Sequence, residues 1–158
     1  MNIEIFKNKF ITNIKLDQKL AKFTWFGVGG NAEILFTPED EKSLIEFLKN
    51  KPQEYKVFAI GAGSNLLIRD KGINGIVLIT KKLKKISIDN NGIISAQAGA
   101  ADAEVARFAR DYERAGLEFL LGIPGTIGGG IKMNSGAFGS EFKDILIDVT
   151  AINNSGKL

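Results

Sequence analysis

The sequence contains no cysteine and no histidine. Their absence excludes disulfides, cysteine nucleophiles, Ser-His-Asp triads and zinc sites of the usual ligand set. No run approaches the ~18 consecutive apolar residues of a membrane-spanning helix. The amino-terminal MNIEIFKNKF alternates apolar with charged or polar positions and lacks the apolar core of a signal peptide. These absences lead us to expect a cytoplasmic chain with no membrane partner. No basic helix interleaved with aromatics is present, so nucleic acid is not an expected partner. Charge of neither sign dominates, the formal net charge being +3. Lys81, Lys82, Lys84 and Lys85 form the densest basic group and read as solvated surface, with a phosphate-bearing partner as the other reading.

Glycine, by contrast, is plentiful, at 18 of 158 residues. A hydrophobic fraction of 44% with 25% charged residues is that of an ordered globular chain. The length suits one domain, or two small lobes sharing a ligand.

Residues 1–24 read as a polar arm, helical in part, and 25–31 as a turn-rich joint around Gly27, Gly29 and Gly30. Strands are expected over 32–36, 57–60 and 75–79. Thr37-Pro38-Glu39-Asp40 is a helix start, with Thr37 as cap and Pro38 in the first helical position. Leu44, Ile45 and Leu48 supply that helix's buried stripe. Segments 84–88 and 93–97 flank Asp89-Asn90-Asn91-Gly92, a hairpin signal in which Asn-Gly supplies the positive φ angles. A helix is expected over 102–115, with Val105, Phe108, Ala109 and Tyr112 on one face and Gly116 ending it. The apolar 117–121 leads into a glycine-rich stretch, 122–139. A strand is expected over 144–152, then a turn at 153–156. Ile145, Ile147 and Val149 call for a partner strand beyond that turn, so the polypeptide is expected to continue. The whole pattern predicts an α+β fold in two lobes, 1–80 and 81–158, with the seam near residue 80.

Two segments carry chemistry. Gly61-Ala62-Gly63-Ser64-Asn65-Leu66-Leu67 follows a strand directly. A pyrophosphate needs convergent N–H donors without Cβ atoms in the way, and alternate glycines let the backbone curl into such a nest. Ser64 and Asn65 add side-chain donors. A plain structural turn is the competing reading. The dinucleotide fingerprint of doubly wound folds is excluded, because Leu66 stands where a third glycine is needed and lysines stand where an acid is needed. A P-loop is excluded because no Gly-Lys-Ser/Thr follows. Arg69 and Asp70 read as a surface ion pair.

The second segment, Gly122-Ile123-Pro124-Gly125-Thr126-Ile127-Gly128-Gly129-Gly130, continues into Asn134, Ser135 and Gly136. So many glycines lower conformational stability unless something must approach the backbone closely. A flat or charged ligand is one such object, and Asn134 offers it both a donor and an acceptor. Close helix packing is the alternative. Two nests in one chain suit a long ligand with a central pyrophosphate, and 61–67 and 122–136 are expected to face each other across a cleft.

Phe26-Gly27-Val28-Gly29-Gly30, the 61–67 loop, Gly122-Ile123-Pro124-Gly125-Thr126-Ile127-Gly128-Gly129 and Met133-Asn134-Ser135-Gly136-Ala137-Phe138-Gly139 occur in this order. Together they resemble the UDP-N-acetylenolpyruvoylglucosamine reductase family, and the likeness runs from about residue 15 to Leu158. The resemblance implies a two-lobed FAD-binding domain of the vanillyl-alcohol-oxidase type without the carboxy-terminal substrate domain. It implies FAD as cofactor, NADPH as electron donor, a UDP-sugar substrate and a place in peptidoglycan synthesis. Carried onto this sequence, Gly61, Ala62, Gly63, Ser64, Asn65 and Leu66 would hold the pyrophosphate. Gly122, Pro124, Gly125, Thr126, Gly128, Gly129, Asn134 and Gly136 would line the rest of the cofactor. The family's Asn-Ala-Gly-Ala-Tyr-Gly motif has Ser135 and Phe138 here at the Ala and Tyr places. Its catalytic arginine, serine and glutamate map to no position of this chain, so no residue is assigned to catalysis. Three other readings stand beside this one: a catalytically inactive FAD-binding remnant, another flavin oxidoreductase of the same fold, and a phosphate-binding module unrelated to flavin. The lack of histidine argues against a histidyl-linked flavin in the second.

Overall fold

The computed structural model describes residues 3–158. The chain forms two compact units, the first running to Lys82 and taking back Thr150–Leu158, the second spanning Leu83–Val149. The expected second lobe thus ends early, and its last residues join the first unit.

In the first unit, α1 (Ile3–Lys9), β1 (Ile14–Lys19), β2 (Asn31–Phe36), α2 (Glu41–Asn50), β3 (Val57–Ile60) and β4 (Ile73–Ile79) build a sheet of order β1-β2-β4-β3. The β2·β4 and β3·β4 pairs are parallel and β1·β2 is antiparallel. β4 is central and buried through Gly75-following residues Ile76, Val77, Leu78 and Ile79, the continuous apolar run of a strand covered on both faces. Leu20, Ala32, Leu35, Ile60, Ile68, Val77 and Ile79 form one core cluster. Phe6, Phe10, Phe36 and Phe47 form a second apolar group, with Phe36 and Phe47 stacked at 3.6 Å. β1 lies inside what reads in sequence as a polar arm, because only Ile14 of its six residues is buried and the strand shows little alternation.

The start of α2 differs from expectation. Asp40, not Thr37, is the cap, accepting from Ser43 N at 2.7 Å while Ser43 Oγ accepts from Asp40 N. This reciprocal pairing satisfies two orphan donors and holds the Asp40 carboxyl below its usual range. Leu44, Phe47 and Leu48 make the buried stripe, with Ile45 half-buried.

The second unit holds β5 (Ile86–Ile88), β6 (Ile94–Ala96), α3 (Asp102–Asp111), α4 (Ile127–Met133), β7 (Gly136–Ala137), β8 (Ser140–Glu141) and α5 (Phe142–Ile145). Ala100, Val105, Ala106, Phe119, Leu120, Ile127 and Phe142 are its core. The β5–β6 turn has positive φ at Gly92 and not at Asn91, and Asp89 Oδ1 accepts from the N–H groups of Asn91 and Ile93. A carboxylate thus shapes the loop that Asn-Gly was expected to shape. α3 ends before 115 because Glu113 adopts φ 55°, with Arg114 N donating to Ala109 O and Glu113 N to Arg110 O. That is a left-handed helix stop built on a non-glycine residue. The strand expected over 144–152 is absent: α5 takes its start, and 146–152 carry no strand.

Candidate cofactor site

β3 and β4 are parallel neighbours joined by residues 61–72, which contain no helix. Parallel neighbours normally need a helical crossover, and a long irregular connection inside a compact unit usually carries function. Here the connection is held at both ends by glycine contacts. Gly63 sits at φ 68° with its O accepting from Trp25 N at 3.1 Å, and a Cβ on it would lie 1.9 Å from Phe23 O. At the far end Gly30 N donates to Arg69 O at 3.1 Å, and a Cβ on Gly30 would lie 2.0 Å from Asp70 O. Gly72 closes as tightly on Asn31 O. Arg69 and Asp70 therefore serve through their backbone, and among the described residues their side chains form no ion pair with each other.

Between these clamps the loop is rich in unused donors. Among the described residues, no protein atom accepts from the backbone N–H of any residue over 62–68, and the Ser64 hydroxyl and Asn65 amide are likewise unpartnered. Ile68 is buried and Leu66 half-buried against the core, which fixes the backbone beneath, while Gly61, Ala62 and Ser64 are half-buried and Asn65 is exposed. Seven consecutive N–H groups without a protein acceptor thus follow a strand, with left-handed Gly63 among them.

The second segment is built differently from expectation. It contains α4, whose first N–H groups turn to neighbouring backbone: Ile127 N to Ala100 O and Gly128 N to Ala98 O, both 2.9 Å. Most of its glycines meet protein. A Cβ on Gly122 would strike the Phe138 ring, on Gly125 the Asp102 carboxyl, on Gly128 Ala98, on Gly130 the Phe142 ring and on Gly136 Ser140 O. Close packing, the alternative to ligand approach, accounts for Gly125, Gly128, Gly130 and Gly136, whereas Gly122 is exposed and meets only the largely exposed Phe138 ring and Ala137. Gly129 stands apart: it is exposed, and the nearest atom to an added Cβ is Thr126 Oγ1 at 3.5 Å. Asn134 is exposed and caps α4 at φ 48°, its Nδ2 donating to Glu141 Oε2 at 2.6 Å and its Oδ1 accepting from Lys143 N at 2.9 Å. These bonds use one of the two amide N–H groups and one of the two oxygen lone pairs. Pro124 is exposed, and Thr126 is buried with its hydroxyl unpaired.

The sequence matches the FAD binding domain family over residues 32–158. The chain belongs to that family. FAD is therefore its cofactor class. Curated relatives are named UDP-N-acetylenolpyruvoylglucosamine reductase. That of Orientia tsutsugamushi (strain Ikeda) is 47% identical over 142 residues, covering 87% of this chain and 47% of the relative. That of Bradyrhizobium sp. (strain ORS 278) is 48% identical over 143 residues, covering 89% and 46%. That of Rickettsia bellii (strain RML369-C) is 41% identical over 157 residues, covering 99% and 51%. The chain spans about half the length of the curated relatives it matches. Among solved structures, UDP-N-acetylenolpyruvylglucosamine reductase from Thermus caldophilus matches with TM-score 0.66 and 30% identity, over 81% of this chain and 45% of that one. An alkyldihydroxyacetonephosphate synthase shares the fold, with TM-score 0.52 at 14% identity, over 71% of this chain and 25% of that one. The α+β fold implied by the sequence motifs is thus that of the family.

Sequence reading passed over two contributors. Gly30 and Gly72 hold the 61–72 connection in place, and the run of glycines at 27–30 is the available signal for Gly30. Asp102, fully buried, had none, since an acid in a helix's first turn is ordinary. No helix among the described residues is long and apolar enough to cross a membrane.

Proposed function

We propose that this chain is the FAD-holding part of an NADPH-dependent UDP-N-acetylenolpyruvoylglucosamine reductase, serving peptidoglycan precursor synthesis in the cytoplasm. The unused donors of 62–68 carry the reading, because they supply in one loop the hydrogen bonds a pyrophosphate needs. Gly61, Ala62, Gly63, Ser64, Asn65 and Leu66 form that cradle, and Thr126 and the backbone at Gly129 are taken separately as cofactor-contacting residues of the second unit. When bound, the flavin supplies hydride transfer between a nicotinamide and an electron-poor double bond. The chain's residues bind and orient it, and Gly125, Gly128, Gly130 and Gly136 let the supporting backbone pack closely behind. The curated relatives' shared name supports the UDP-sugar as substrate.

The test is the visible spectrum of the chain after purification and dialysis, followed by release of the bound molecule. Stoichiometric FAD supports the proposal, and a chain that neither retains nor rebinds FAD contradicts it. No residue here is assigned to proton delivery. Accordingly, the FAD-loaded chain should oxidise NADPH at a rate that the UDP-sugar does not stimulate.

A further inference from the structure

Asp102 is the most unusual charged residue in the second unit. Its side chain is fully buried, and neither carboxyl oxygen has a hydrogen-bond partner. It opens α3, yet it caps nothing: Glu104 N and Val105 N both go to Ala101 O. Instead it faces the glycine-rich loop. Asp102 N donates to Gly125 O at 3.3 Å, and a Cβ on Gly125 would lie 2.6 Å from Asp102 Oδ2. The next residue, Thr126, pairs with Ala101 across an isolated bridge and carries the other buried, unpaired oxygen, which lies over Gly129. Two unsatisfied polar side chains on adjoining backbone are a costly arrangement for a core, since each loses about 1–3 kcal/mol of hydration.

We propose that Asp102 is a positioning residue for the cofactor: its buried carboxyl, seated against Gly125 beside the Thr126 hydroxyl, sets the backbone path along which Thr126 and Gly129 meet FAD. The inference rests on the FAD reading above. Burial alone raises its pKa to about 6, so the neutral acid prevails only below that pH. The charged side chains on the elements around it, Glu104 and Arg107 on α3, Glu118, Lys132 on α4, and Lys143 and Asp144 on α5, are all exposed.

Asp102→Asn and Asp102→Leu separate polarity from volume. FAD affinity is read from quenching of the single tryptophan, Trp25, and melting temperature is measured without FAD. Asp102→Asn should keep FAD affinity within about threefold of wild type, and Asp102→Leu should lose at least tenfold while melting no lower, a split that a merely structural role would not produce. Wild-type affinity should weaken as pH rises through about 6, and Asp102→Asn should be flat across that range. Equal FAD affinity in the two variants overturns the proposal, as does a loss that tracks melting temperature. Failure of unaltered chain to bind FAD is seen in the wild-type measurement itself and overturns the underlying reading instead.

Discussion

Single residues separate what the glycines do. Gly63 and Gly129 read alike in sequence, as sites where a Cβ would block a ligand, but they sit in opposite circumstances. Gly63 is left-handed, and a Cβ on it would meet the Phe23 carbonyl at 1.9 Å. Gly63→Ala should therefore lower both melting temperature and FAD affinity. Gly129 is helical, and a Cβ on it would make only an ordinary contact, with Thr126 Oγ1 at 3.5 Å. Gly129→Ala should raise stability by about 0.5–1 kcal/mol through reduced chain entropy, and should still weaken FAD binding roughly tenfold. Paired thermal melts and FAD titrations check both. Glycine positions were legible in the sequence, whereas their reasons were not, because the atoms they make room for can lie far along the chain, 40 residues away both for Gly63 with Phe23 and for Gly30 with Asp70. Asp102 adds a pH signature. With a folded pKa of about 6 against 3.8 unfolded, the folded chain binds the extra proton between those values. Stability from this group is full below about pH 4 and declines as pH rises through about 6, by on the order of 1–2 kcal/mol after allowance for solvent screening. Asp102→Asn should flatten that decline in melts between pH 4 and 7.

At the level of elements, periodic segments were legible and stops were not. β2, β3, β4 and the β5–β6 hairpin follow from short apolar runs and turn residues. β1 escaped because its one buried residue gives no period. α4 escaped because Gly128, Gly129 and Gly130 depress helix propensity, and packing on Ala98 and Phe142 overrides that tendency. α3 ends at Tyr112 because Glu113, and not Gly116, takes the left-handed position. A side chain in that conformation costs about 1 kcal/mol or more. Glu113→Gly should thus raise the melting temperature by about 2–4 °C, with FAD affinity unchanged. A lower melting temperature in that variant would show that Glu113 makes a compensating contact.

For the whole molecule, the turn expected at 153–156 forms, Asn153 N donating to Lys157 O at 2.9 Å and Gly156 N to Asn153 O at 3.0 Å. The return of Thr150–Leu158 to the first unit, with Gly156 buried beside Ile45 and Lys49, has no signal in the sequence, since those contacts lie more than 100 residues back along the chain. Net charge of +3 offers only mild attraction for an anionic cofactor, so on the proposed function recognition would rest on the backbone donors of 62–68. That claim is tested most directly by titrating the dialysed chain with FAD and, separately, with FMN, which shares the isoalloxazine and ribityl groups but lacks the pyrophosphate and adenosine. A pyrophosphate cradle at 62–68 predicts that FAD binds at least a hundredfold more tightly than FMN, and that Gly63→Ala removes most of the difference. Equal affinity for the two flavins, or a difference untouched by Gly63→Ala, would contradict the account.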